Sequence, residues 1–396
     1  MTTIKDKKMV EASQAWAVPL SDVGVDAAIV EAVQGAVTSG WWSMGPRVAD
    51  FERAFADFTG SRHALAVANG TAALQLAFIA TGCGPGDEVI VPSLNFVAAA
   101  NTIAHTGATP VFCDVCSAND LNLDPRDVEA AITPATKALL VLHYGGHPCA
   151  MEDVLGLAER HGLVVIEDAA HAPGATWRGR ACGTIGQVGC FSFFSNKNLP
   201  VGEGGMIVTD DDKLAERIRL LRSHGMTSLT WDRHRGHASS YDVVDLGFNF
   251  RLDEIRAAIG LVQLERLPSE NAQRARIVAR YRDRLANKKG IIVPFAQNGR
   301  QRASGGQTTS SDHLFVVVLP EGVRCDEVRS ALGEERIQTS VHYPPIHRFT
   351  LYAERGARRR LPITDDVAAR LVTLPLFPHM REDQVDLVVD KLLDAI

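Results

Sequence analysis

The chain has 396 residues, 46% of them hydrophobic, enough for two domains at a starting figure of about 150 residues each. Its 41 Lys and Arg against 47 Asp and Glu give a net charge of -6, which excludes the basic footprint of a nucleic-acid binder. No apolar run reaches the ~18 residues of a membrane-spanning helix, and the polar start MTTIKDKKMVEASQAW has no hydrophobic signal stretch. The expectation is a soluble cytoplasmic protein without nucleic-acid or membrane partners.

Two amphipathic helices open the pattern. Ile29, Val30, Val33 and Val37 follow helical spacing, as do Val48, Phe51, Phe55 and Phe58. Short apolar runs then alternate with helical stretches: HALAVA (63–68), EVIV (88–91), TPVFCDV (109–115), KALLVLH (137–143) and LVVIED (163–168). Strand and helix repeated in this way predict right-handed crossovers and a mainly parallel sheet covered on both faces, an α/β domain. Too few residues separate CFSFF (190–194) from MIVTD (206–210) for a crossover helix, so a hairpin-like connection is expected there. From Leu252 a helix runs to Leu267 and, beyond Pro268, on to Leu285. A strand (His313 to Leu319) and helices near Asp326–Leu332 and Asp383–Leu393 make a smaller α+β unit. The expected division is 1–265 for the large domain and 266–396 for the small one. The polar, Gly/Ser-rich stretch 296–311 reads as a long mobile loop.

The seven cysteines are an odd number in a long chain, which suits free thiols in a reducing compartment. Cys113 and Cys116 form a C-x-x-C, but no second pair stands at metal-ligand spacing, so no metal is expected.

Ligands of a parallel sheet collect at the carboxyl ends of its strands. After HALAVA comes Asn69-Gly70-Thr71, a turn into a helix, which reads either as a plain helix cap or as a phosphate cradle. After EVIV comes Phe96, which taken alone reads as core packing. LVVI ends in Glu167-Asp168, and a carboxylate there either caps the next helix or holds a cationic ligand. The segment FSFFSNKNLPVGEGG (191–205) decides the matter. Lys197 follows an aromatic strand and enters a glycine-rich turn, whereas most other lysines lie in polar settings. Desolvation can lower an amine pKa at such a place. A phosphate turn, an aromatic, a carboxylate and a lysine at four strand ends together describe pyridoxal 5′-phosphate (PLP) as the cofactor.

With these residues assembled, the chain resembles the fold type I PLP enzymes, and within them the nucleotide-sugar aminotransferases of deoxysugar biosynthesis. The blocks that carry the likeness are SGWWSMGPRVADFERAFADFTG (39–60), ANGTAAL (68–74), VPSLNFVAAAN (91–101), EDAAHAPGA (167–175), SFFSNKNLPVGEGG (192–205), RSHG (222–225), LGFNFRLDEIRAAIGLVQLERL (246–267) and VHYPPIH (341–347). The resemblance implies a large domain with a mainly parallel seven-stranded sheet between helices, plus a smaller C-terminal α+β domain. It implies that Lys197 is the Schiff-base residue and proton shuttle, and that Asp168 pairs with the pyridine nitrogen. Phe96 matches the aromatic that stacks on the ring; Gly70, Thr71 and Ser192 match phosphate contacts. Asn249 matches the residue that reaches the neighbouring subunit's phosphate, so a homodimer with shared active sites is expected. His171 stands where many relatives have glutamine, and is expected to donate to the cofactor's 3′ oxygen. His342 and Tyr343 match the sugar side of the pocket.

The stretch 226–245 holds Arg233 and Arg235, which suit a diphosphate. The expected reaction is transfer of an amino group from L-glutamate to C4 of a nucleotide-linked 4-keto-6-deoxyhexose, with thymidine diphosphate as carrier, in an antibiotic pathway. Its rivals are a C3 keto-sugar aminotransferase, an L-glutamine:scyllo-inosose aminotransferase and a non-catalytic PLP-binding regulator. A dehydrase of the same fold is disfavoured by Lys197, and a nicotinamide enzyme by the lack of a G-x-G-x-x-G after the first strand.

Overall fold

The computed structural model describes residues 16–228, 231, 240–296, 307–354 and 359–396. Thirteen strands are present among them: β1 (His63–Val67), β2 (Glu88–Pro92), β3 (Thr109–Cys113), β4 (Val115–Ser117), β5 (Asp120–Leu123), β6 (Thr136–Leu142), β7 (Val164–Asp168), β8 (Thr176–Trp177), β9 (Arg180–Ala181), β10 (Val188–Ser192), β11 (Gly205–Thr209), β12 (Phe315–Val318) and β13 (Leu371–Leu374). Seven form the central sheet in the order β1-β11-β10-β7-β6-β2-β3. The pairs from β10 to β3 are parallel, and β11 runs antiparallel to both β1 and β10. The hairpin-like connection from β10 to β11 is thus observed. With β11 reversed between them, β1 and β10 point the same way, so the carboxyl ends of six strands share one edge.

Both sheet faces are dry. Ala64, Ala66, Leu139, Val141, Val165 and Phe191 belong to one core, while Leu65, Val67, Leu140, Ile166 and Cys190 belong to the other. The alternation by single residues is the pleat of a strand buried on both sides. Helices Pro46–Thr59 and Glu254–Leu285 cover the first face, and Gly70–Ala80, Ala98–His105 and Asp212–Leu221 the second.

The run TPVFCDV does not stay in one strand. It breaks at Asp114, whose carboxylate accepts the N–H groups of Val115, Ile363 and Thr364 and the Thr364 hydroxyl. Those bonds pull β4 out of the sheet, where it pairs with β5 instead. The helix expected on both sides of Pro268 is one element, Glu254–Leu285. A further core surrounds β12 and β13, which pair antiparallel, and includes Ile277, Tyr281, Val328 and Leu392. Val18 joins that core and bridges to Ile337, so the chain entering the first helix is tied to the C-terminal unit. Residues 297–306, within the loop expected to be mobile, lie outside the described residues.

Of the paired acids ending β7, Glu167 is structural. Its side chain is fully buried and accepts four hydrogen bonds: His143 Nε2 at 2.8 Å and the N–H groups of Gly183, Ile185 and Gly186 at 2.7, 2.6 and 2.6 Å. His143 Nδ1 accepts the Cys149 N–H at 3.1 Å, which places the ring proton on Nε2, facing Glu167. Replacing Glu167 by Gln turns one acceptor oxygen into a donor that faces donors. Glu167→Gln is expected to lower stability by about 2–4 kcal/mol through these unmade bonds, read as a fall in the urea midpoint. A change within about 0.5 kcal/mol would refute the role.

Candidate active site

The carboxyl ends of β1, β2, β7 and β10 open on one cavity of about 380 Å³, within the size range of small-ligand sites. Nine residues singled out in the sequence line it: Gly70, Thr71, Phe96, Asp168, His171, Ser192, Lys197, His342 and Tyr343.

Asn69 starts the Gly70–Ala80 helix, its Oδ1 accepting the Ala72 N–H at 2.8 Å. The cap leaves the N–H groups of Gly70 and Thr71 at a helix N-terminus, where the dipole favours an anion. Gly70 is required there. A Cβ would stand 2.7 Å from Ser192 Cβ, so only glycine lets the helix start close on the end of β10 and bring Thr71 and Ser192 into one wall.

Phe96 is 56% exposed, which overturns its reading as core packing and leaves its ring available to a ligand. Asp168 is buried, and its Oδ1 accepts one N–H, from Ala170 at 3.2 Å. Burial pushes its carboxyl above the usual range, while the Ala170 N–H and the charge of Lys197 favour the ionised form. The Ala170 N–H, the Asn95 side chain and nearby positive charge offset the burial of this carboxylate only in part, which favours a cationic partner over a simple capping role. Lys197 sits in the turn after β10, its N–H donating to the Phe194 carbonyl at 2.8 Å. Desolvation lowers its amine to about 8 against the opposing pull of Asp168.

The C-terminal segment reaches this edge through a set of hydrogen bonds. Ser93, after β2, accepts the N–H groups of Ile346 and His347 at its carbonyl and hydroxyl, and its hydroxyl meets His347 Nδ1 at 2.7 Å. Tyr144 donates to the His342 carbonyl, and His342 Nδ1 lies 3.0 Å from Thr373 Oγ1. Burial beside Lys197 lowers the His342 imidazole to about 4, and burial pushes the Tyr343 phenol upward. Both side chains are therefore neutral at pH 7.

Asn69 of the expected turn also lines the cavity, as do Asn95, Phe194, Asn196 and Glu203, which sequence reasoning passed over. Asn95 and Asn196 adjoin Phe96 and Lys197, so taking two residues at each strand end would have found them. Asn249 is exposed and does not line this cavity, and Arg233 and Arg235 lie outside the described residues. Burial pushes the Cys113 and Cys116 thiols up, Cys116 to about 12, which disfavours the thiolate at both.

Two lining atoms are buried with no hydrogen-bond partner, Asn95 Nδ2 and Asn196 Oδ1. Asn95 Oδ1 accepts the Phe96 N–H at 2.6 Å, which fixes the amide and leaves Nδ2 as the free donor. Orphaned polar atoms of this kind mark a site built for a ligand.

Residues 24–393 match the DegT/DnrJ/EryC1/StrS aminotransferase family. The chain belongs to that family. It is 42% identical over 374 residues to the spore coat polysaccharide biosynthesis protein SpsC of Bacillus subtilis (strain 168), covering 93% of this chain and 94% of SpsC. Among solved structures it is similar to S. venezuelae DesV in complex with a ketimine intermediate, with a TM-score of 0.85 and 37% identity over 96% of this chain and 98% of DesV. It is also similar to the PLP form of the sugar aminotransferase Spr1654 of Streptococcus pneumoniae, with a TM-score of 0.85 and 28% identity over 96% and 98% of the two chains. The protein is a PLP-dependent sugar aminotransferase of fold type I.

The cavity fits that cofactor on its own chemistry. A helix N-terminus opened by Gly70 suits a phosphate, a buried carboxylate suits a pyridinium, and a desolvated amine suits an aldehyde. In the protein without cofactor, competitive labelling with acetic anhydride across pH should give Lys197 a titration midpoint near 8. A midpoint near the ordinary lysine value of about 10.4 would show that the site does not desolvate the amine.

Proposed function

We propose that this aminotransferase moves the amino group of L-glutamate to C4 of a nucleotide-linked 4-keto-6-deoxyhexose, with thymidine diphosphate as the carrier. The observation that carries the proposal is one cavity holding Lys197 and Asp168 as its buried charges, with aromatic and neutral polar residues around them and the exposed Glu203 as the other charged lining residue. Among the described lining residues there is no arginine. Phe96, Phe194, Asn95, Asn196, His342 and Tyr343 offer ring faces, donors and acceptors to an uncharged hydroxylated ring. A dicarboxylate ring substrate would find no such match.

PLP bound here supplies the electron sink for transamination. Lys197 Nζ is its covalent anchor in this reading, and the lowered amine pKa lets the same atom take and return a proton near neutral pH. Asp168 holds the pyridinium proton in place. Gly70, Thr71 and Ser192 bind the phosphate, and Phe96 covers the ring. Arg233 and Arg235 hold the diphosphate, so remote binding energy places the keto carbon near Lys197.

The proposal includes a homodimer with shared sites in the cytoplasm. Asn249 is exposed and away from its own chain's cavity. Beside it Leu246 is 90% exposed, and Val243 and Val244 are also bare. A second copy covering these apolar side chains would bring Asn249 to the other phosphate. None of the described helices is long and apolar enough to cross a membrane. The antibiotic pathway expected from the sequence belongs to the same proposal, beside the spore coat polysaccharide named for SpsC.

The reaction is tested with 4-keto and 3-keto nucleotide sugars and scyllo-inosose, each with glutamate or glutamine, and products are identified by mass spectrometry and NMR. Amination at C4 with glutamate is expected. Turnover of the 3-keto sugar alone overturns the regiochemistry, turnover of the inosose alone moves the enzyme to aminocyclitols, and binding without turnover makes it a regulator. For the dimer, mixing inactive Lys197→Ala with an inactive Asn249→Ala protein should restore part of the activity, because one hybrid site has both residues intact. A fully active monomer in sedimentation would exclude sharing.

A further inference from the structure

Asn198 follows Lys197 and is only 2% exposed, yet it does not line the main cavity. Its whole amide is used inside the protein. Nδ2 donates to Asn271 Oδ1 at 2.9 Å and to the Ser311 carbonyl at 2.8 Å, and Oδ1 meets His313 Nδ1 at 2.9 Å. A carbonyl only accepts, so the Ser311 contact fixes which way the amide faces and puts the His313 proton on Nδ1.

The three partners are far from Lys197 in sequence. Asn271 lies on the Glu254–Leu285 helix, where it also donates to the Pro173 carbonyl at 3.0 Å and accepts from Arg274 at 3.3 Å. Gly174 leaves room for this approach, since a Cβ there would stand 2.8 Å from Asn271 Nδ2. Ser311 and His313 precede β12, and Ser311 is itself held, its hydroxyl donating to the His171 carbonyl at 2.7 Å and its N–H to the Gly146 carbonyl at 3.2 Å. One amide thus ties the turn that carries Lys197 to the long helix, to the segment leading into β12 and, through these, to the chain beyond β6 and β7.

Behind the turn is a second, smaller cavity of about 20 Å³, room for about one water. Lys197, Asn198, Gln263, Glu270, Arg274 and His313 are among its lining residues. We infer that Asn198 is a positioning residue for Lys197, holding its turn against the long helix and the segment before β12 so that the amine meets solvent only from the main cavity. The functional meaning of this inference rests on the reading of Lys197 as the cofactor's anchor. Without the Asn198 amide, Asn271 Oδ1, the Ser311 carbonyl and His313 Nδ1 each lose a partner beside the small cavity, and buried polar groups left in this way take up water. Water behind the turn would relieve the desolvation of the amine, which raises its affinity for a proton.

The titratable groups around Lys197 are Asp168, His171, His342, Tyr343 and Glu203 on the side of the main cavity, and His313, Asp22, Glu270 and Arg274 on the other. Asn198→Ala alters none of them, so a shift would report hydration and position. The test is competitive labelling of the full chain without cofactor by acetic anhydride across pH, with folding checked by near-ultraviolet circular dichroism. Asn198→Ala should move the Lys197 midpoint up from about 8 by about one unit. Asn271→Ala, which keeps the Ser311 and His313 bonds, should move it up by less, and adding it to Asn198→Ala should add nothing. Labelling of the exposed Lys213 should not change.

A merely structural role would lower the urea midpoint and leave the Lys197 midpoint of the folded variants at the wild-type value, which overturns the inference. Shifts that simply sum in the double variant overturn it as well. Asn271→Ala decides the matter where Asn198→Ala does not fold. A wild-type midpoint near the ordinary lysine value of about 10.4, or a holoenzyme whose borohydride-fixed cofactor is on another lysine, would instead refute the assignment of Lys197.

Discussion

Everything at this edge of the sheet depends on keeping one amine and one carboxylate out of water without letting them neutralise each other. Burial raises Asp168 and lowers Lys197, while their mutual attraction opposes both shifts. A direct ion pair would satisfy the two groups and leave nothing for a ligand. The fold prevents this by placing them at the ends of different strands. Asp168 closes β7, and Lys197 lies in the turn beyond β10, its strand partner. The cost of their desolvation is thereby left without the relief of a direct pair.

That separation needs rigid backbone, and close glycine contacts supply much of it. Gly70 lies against Ser192, and a Cβ on Gly205 would come within 2.6 Å of the Asn69 carbonyl, so β1, β10 and β11 lock together around the turn that opens the Gly70–Ala80 helix. A Cβ on Gly189 would meet the Gly183 carbonyl at 2.0 Å. The same 183–186 turn is gripped by Glu167 from the side of β7 away from the cavity. Adjacent acids thus divide the labour by the pleat: Glu167 spends its charge on the scaffold, and Asp168 keeps its charge for the site.

Much of this was legible because parallel strands write their function at their ends. Apolar runs of about five residues gave the sheet, and the residues just past them gave Gly70, Phe96, Asp168 and Lys197. What escaped depends on contacts between distant segments. Nothing local distinguishes Glu167 from Asp168 until the pleat assigns them to opposite sides. Asp114 ends its strand through Ile363 and Thr364, some 250 residues away in sequence, so TPVFCDV read as one strand. β13 is four residues long and follows the Pro362–Arg370 helix directly, without a turn signal, and neither element was read from the sequence. Family likeness pointed to His171 and Tyr343, but only the fold shows that the Gly145 N–H takes one His171 nitrogen and turns the other to the Tyr343 hydroxyl.

The neutral wall has its own consequence for chemistry. Burial lowers His171, His313 and His342, and the nearby charge of Lys197 lowers them further. Three imidazoles that could have been cations near pH 6 are instead held as neutral donors and acceptors. Had they been protonated, their field would depress Lys197 and compete with it for Asp168. Kept neutral, they offer ring nitrogens for hydrogen bonding while the buried charge of the cavity stays concentrated on the amine and the carboxylate. Two physical means thus stand side by side in the same small space, neutral hydrogen-bonding groups on one hand and desolvated charge on the other.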